Sequence, residues 1–101
     1  MDGMRPGSTP LPRVRETAPI DEAALMAAIA DRRMDAFEDF YRLYHPRLAR
    51  FIGGVLRRAE AVEEVLDDTM MVVWRRAGDF HPGARVSSWV FAIAYRQALR
   101  S

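Results

Sequence analysis

The sequence predicts an all-α fold, a compact four-helix bundle behind a disordered N-terminal tail. Three observations predict it. From Asp21 onward the apolar residues recur at the helical period, and no stretch alternates with the period of a strand. The first candidate helix opens with acids and closes with arginines, the arrangement a helix dipole favours. Of 101 residues, 50% are apolar and 29% charged, enough for one packed core and too apolar for wholesale disorder.

Residues 1–20 are rich in proline, glycine, serine and threonine and read as a flexible tail, with residues 21–101 as the folded domain. The first helix spans about 21–32. A second opens at Asp35, where Asp-Ala-Phe-Glu has capping-box spacing with aspartate in the usual serine or threonine role. Its apolar stripe runs Phe37, Phe40, Tyr41, Tyr44, Leu48, Phe51, Ile52, Val55 and Leu56. The stripe keeps its period through Pro46, which predicts one helix kinked there rather than two helices. A third helix, about 61–77, buries Val62, Val65, Leu66, Thr69, Val73 and Ala77, with Gly78 as its stop. A fourth starts at Ser87 as N-cap and runs to the end. Its faces, Val86/Trp89/Val90/Ile93/Ala94 and Phe91/Tyr95/Leu99, predict a helix sandwiched between others. The closing YRQALRS carries no stop signal and reads as a helix cut in its middle.

Composition excludes several classes. No apolar run approaches the roughly 18 residues of a membrane span, and MDGMRPGSTPLPRVRETAP has no apolar core of a signal peptide. With no cysteine, a disulfide framework is excluded and a structural zinc site is not expected. The expected location is cytoplasmic. A di-metal bundle site would need inward Glu-x-x-His pairs, and neither His45 nor His81 stands at that spacing. Neither a metal, a cofactor nor a catalytic residue is expected.

The net charge of +1 hides an asymmetry. Residues 60–68, EAVEEVLDD, carry five carboxylates and no base, whereas residues 80–101 carry Arg85, Arg96 and Arg100 and no acid. Every basic residue is arginine, which fits a GC-rich genome as well as selection for bidentate contacts. On the third helix Glu64, Asp67, Asp68 and Arg75 lie opposite the buried stripe, with Met71 among them. A solvated face accounts for the carboxylates. A methionine on the outermost line fits docking on a basic partner with an apolar centre. Both readings stand on the residues alone. On the fourth helix, Trp89, Ala92, Arg96 and Arg100 share a flank, a pattern suited to a nucleic-acid backbone and a stacked base, or to a core tryptophan with incidental arginines.

Read in order, DAFEDFYRLYHPRLARFI, VEEVLDDTMMVVWRRAGDF and GARVSSWVFAIAYRQAL resemble conserved region 2 of bacterial sigma factors, nearest to the extracytoplasmic-function group. The resemblance covers about Leu25 to Ser101. It implies a non-enzymatic domain of transcription initiation that binds core RNA polymerase through the clamp helices of the beta-prime subunit. It also implies recognition of the promoter minus-ten element, mainly as a single strand. An anti-sigma factor is a frequent partner in the family. The polymerase-binding motif falls on Glu64, Val65, Leu66, Asp67 and Asp68, beside Met71 and Arg75. The DNA-reading set comprises Arg76, Phe80, His81, Arg85, Ser87, Ser88, Trp89, Arg96 and Arg100, with Phe80 to Ser88 as the base-capturing loop. Asp67 stands where glutamine is usual, Val86 where an aromatic is frequent, and Arg96 where asparagine often reads a base. The region that contacts the minus-thirty-five element has no counterpart here. The competing reading is a helical interaction module, a sigma-like adaptor or regulator that does not read DNA.

Overall fold

A computed structural model describes residues 20–101. The expected tail therefore lies, but for Ile20, outside the described residues. Four α-helices succeed one another, α1 (Glu22–Ala30), α2 (Met34–Val55), α3 (Val62–Arg76) and α4 (Val86–Arg100), and no strand is present among the described residues. Short 3-10 turns, Ala59–Ala61 and Ala77–Asp79, bracket α3.

Asp21 caps α1 by accepting the Ala24 amide at 3.1 Å, satisfying one of the donors that a helix start leaves unpaired. At the other end the Arg33 amide reaches the Ala28 carbonyl at 3.1 Å and the Arg32 amide reaches Ile29 at 2.8 Å. These are the paired closing bonds of a left-handed cap. Its left-handed residue is Arg32, at φ 65°, where glycine is usual. A residue with a Cβ costs about 1–2 kcal/mol in this conformation.

α2 is continuous through Pro46. Proline withholds only one amide from the ladder, and the stripe Ala36, Phe40, Tyr44, Leu48 and Ile52 keeps the face buried on either side of it. The capping box expected at Asp35 does not form. The N-cap is Arg33, two residues earlier, so Asp35 lies inside the first turn, paired with Arg33 at 2.6 Å. Ser87 is likewise not an N-cap. Arg85 holds that position with no side-chain bond, and Ser87 lies within the first turn of α4. α4 starts at the buried Val86, whereas α2 starts at the exposed Met34, with Arg33 and Asp35 paired on either side of it. Gly78 does not end α3 in a left-handed conformation either, since no described glycine has positive φ. α3 tightens instead into the Ala77–Asp79 turn.

α2 packs on α3, α3 on α4, and α1 against α2 and the Ala77–Asp79 turn. Tyr44, with no exposed surface, lies at the centre of this arrangement. Its ring stacks on Phe40 (4.7 Å) and meets Phe91 of α4 edge-on (6.3 Å), and the Arg47 guanidinium covers it at 4.7 Å. Its hydroxyl donates to Glu22 Oε1 at 2.5 Å, tying α1 to α2. Burial, then the Glu22 carboxylate, pushes the phenol up to about 12. Phe91 also stacks on Phe51 at 5.1 Å, so α4 is held by aromatic contacts with α2. The one buried polar residue among those described, Thr69, donates to the Val65 carbonyl at 2.8 Å and leaves no donor unpaired.

Candidate protein and nucleic-acid interfaces

α3 carries two charged surfaces because its period places two lines of side chains outside the core. The stripe Val65, Leu66, Thr69, Met70 and Val73 points inward, which leaves Glu63, Glu64, Asp67, Asp68 and Met71 exposed. Met71 is 48% exposed between these acids and the arginines beyond them. The acids divide further. Glu63 pairs with His45 Nε2 at 3.2 Å, and Asp67 accepts the Tyr41 hydroxyl at 3.1 Å, both across the seam with α2. Partial burial, then the bond to Asp67, raises the Tyr41 phenol. Glu64 and Asp68 have no side-chain partner among the described residues and form the outermost acidic line. Val65, expected to bind a partner, is 3% exposed and belongs to the core, because it shares the inward face with Leu66 and Thr69. It has no surface to offer a partner.

On the opposite flank α3 and α4 leave a polar groove of about 210 Å³, lined by Val72, Arg75, Arg76, Ile93, Arg96, Gln97 and Arg100. Four guanidinium groups share this groove and no carboxylate lines it. Arg76 also reaches Asp79 at 3.2 Å, a solvent-screened pair at the groove's edge. Arg75 was expected with the acidic face. It lines this groove instead, with Arg96 and Arg100 of α4. Gln97, Val72 and Ile93 carry no sequence signal for this site, because nothing along the chain pairs the end of α3 with the end of α4.

The connection from α3 to α4 is divided too. Phe80, expected in a base-capturing loop, is 9% exposed and meets Trp89 edge-to-face at 5.6 Å. The Ala77–Asp79 turn directs it inward, beside Met26 and Ala27 of α1. Trp89 is half-buried by the same contact and keeps an outer edge. His81, Arg85 and Ser88 are exposed, Ser87 is half-buried, and the Ala84 amide closes a turn on the His81 carbonyl at 2.9 Å. No group of three His, Cys, Asp or Glu side chains among the described residues could hold a metal ion, and no described helix is long and apolar enough to cross a membrane.

An all-helical domain with an acidic outer line and a separate arginine groove is the class of structure defined so far, and comparison with known proteins gives it a family. Residues 40–101, more than half of the chain, match the sigma-70 region 2 model. The chain belongs to the sigma-70 region 2 family. It is 35% identical to the RNA polymerase sigma factor CarQ of Myxococcus xanthus over 74% of this chain and 45% of CarQ. It is 37% identical to the ECF RNA polymerase sigma factor RpoE of Cereibacter sphaeroides, over 73% of this chain and 42% of that protein. With the ECF RNA polymerase sigma factor SigM of Mycobacterium tuberculosis it shares 33% identity, over 77% of this chain and 40% of SigM. The chain thus spans less than half the length of these relatives. No solved structure matches.

Proposed function

We propose that this chain is the polymerase-docking and minus-ten-reading part of an extracytoplasmic-function sigma factor, acting in transcription initiation without catalysing a reaction. The observation that carries the reading is the segregation of charge on α3. Glu64 and Asp68 face outward with Met71 between them and the arginines, while Arg75 and Arg76 join Arg96 and Arg100 in a groove without acids. The names of the relatives, RNA polymerase sigma factors, support the same assignment.

In this reading Glu64, Asp67, Asp68 and Met71 dock on core polymerase, at the clamp helices of the beta-prime subunit. Arg75, Arg76, Arg96 and Arg100 take phosphates, while His81, Arg85, Ser87, Ser88 and the open edge of Trp89 meet bases or sugar. Residues 21–101 form the domain that does this. Binding only the separated strand shifts promoter DNA towards its open state, because the ligand stabilises whichever state it prefers. Four phosphate contacts on a single strand imply a log–log salt slope of about −2.8, or roughly fifty-fold weaker binding at 200 mM than at 50 mM salt.

Fluorescence anisotropy with a single-stranded minus-ten oligonucleotide and core polymerase tests the DNA reading. Binding that weakens steeply with salt is expected. Its absence would leave a helical interaction module as the better description. For docking, Asp68→Arg is expected to abolish core-polymerase pull-down while circular dichroism stays helical, and pull-down at the wild-type level refutes that face.

A further inference from the structure

Arg32 belongs to neither surface, and it lies outside the residues that match the family. It nevertheless joins the α1–α2 corner to the end of α3. Its Nη1 donates to the carbonyl of Trp74, and its guanidinium carbon lies 5.1 Å from the centre of the Trp74 ring. The indole is held from another side by Phe37 of α2, edge-on at 5.2 Å. Trp74 falls in the last turn of α3, where backbone carbonyls lose their helical partners and a cation is favoured. Arg32 therefore caps α3 from a distant part of the chain.

The backbone says that these contacts count. Arg32 is the one described non-glycine residue with positive φ, at a position where glycine would be unstrained. Glycine would lose both the charge-assisted hydrogen bond and the cation–π contact. Directly after Trp74 come the arginine pair of the groove and then the turn that points Phe80 inward and begins the exposed connection. The point at which α3 stops, and its rotation there, decide where Arg75 and Arg76 stand against Arg96 and Arg100.

We propose that Arg32 is a positioning residue for nucleic-acid binding: it fixes the end of α3 so that the groove and the 80–85 connection are formed before DNA arrives. This rests on the DNA reading given above. The contact itself is with the protein, so Arg32 acts without touching a phosphate.

The test uses the 101-residue chain with core polymerase and a labelled single-stranded minus-ten oligonucleotide, together with amide hydrogen exchange of the free chain. Arg32→Gly keeps the left-handed corner and removes the guanidinium. It is expected to speed exchange of the amides of residues 77–85 by about tenfold and to weaken the oligonucleotide about fivefold with an unchanged salt slope. Arg32→Lys, which retains one charged donor but not the planar stack, is expected to fall between Arg32→Gly and wild type in both measurements. A salt slope shallower by about 0.7 in Arg32→Gly would mean that Arg32 itself holds a phosphate, and would overturn the proposal. Faster exchange with unchanged affinity would reduce Arg32 to a stabilising contact and overturn it equally. If the wild-type chain does not bind the oligonucleotide, the DNA reading fails and positioning fails with it. If wild type binds and Arg32→Gly matches it, positioning alone fails.

Discussion

The two flanks of α3 treat charge in opposite ways. Towards α2, Glu63 and Asp67 are answered by His45 and Tyr41, so the seam closes its own polar groups. Towards α4, four arginines line one groove and the nearest acid, Asp79, stands at its edge with Arg76. Like charges gathered without counter-ions work against the compact state, whereas a polyanion turns the same arrangement into affinity. A flank that satisfies its own charges needs no partner to hold them, although Asp67 also borders the proposed docking line. One that leaves them unanswered is the flank to which the proposed function assigns the nucleic acid.

The contrast holds only while α2 is fixed, and the largest expected effect bears on that condition. Tyr44 ties α2 to α1 through Glu22. Its phenol is raised from 10.0 to about 12, so the folded state holds the proton more tightly than the unfolded chain does. The contribution is fully present below pH 10 and disappears as pH rises through about 12. It amounts to at most about 2 kcal/mol once solvent screening of the pair is discounted. Chemical denaturation monitored across roughly pH 9 to 12 should show this alkaline loss in wild type and a flatter profile in Tyr44→Phe.

Next comes the groove. Arg96→Ala with Arg100→Ala removes two of its four cations, and the salt slope of oligonucleotide binding should become shallower by about 1.4. The same double variant is expected to melt at or slightly above the wild-type temperature, since it relieves repulsion and breaks no ion pair among the described residues. A clear fall in melting temperature would show that these arginines are structural and would break the contrast between flanks. The smallest effect belongs to the seam. Tyr41→Phe loses the bond to Asp67 and should cost about 0.5–1 kcal/mol in denaturant unfolding, leaving oligonucleotide binding unchanged.

Much of the fold was legible because burial in a helix imposes a period that the residues must obey. The stripe from Phe40 to Ile52 declared α2 across Pro46, and Met71 among acids marked the outer line of α3. Helix ends were less legible. Asp35 and Ser87 have the chemistry of caps, yet each helix begins earlier, α2 at the exposed Met34 and α4 at the buried Val86. The period put Val65 in the core, where it is found, against the partner role that the resemblance implied for it. Phe80 lies on no helical stripe, and residue type cannot distinguish an aromatic that awaits a base from one that already packs on Trp89.

The sequence by itself determined the four helical segments, the inward lines of α2 and α3 and the separation of acids from arginines, since all three arise from spacing along one chain. The second buried face expected on α4 does not form, for Tyr95 and Leu99 are exposed and only Phe91 packs inward, on α2. Only the tertiary structure decided that Arg75 stands with Arg96 and Arg100, that Phe80 turns inward and that Arg32 caps α3. Each of these depends on which helix ends meet in space, and residues 42 positions apart, such as Arg32 and Trp74, carry no local signal of their contact.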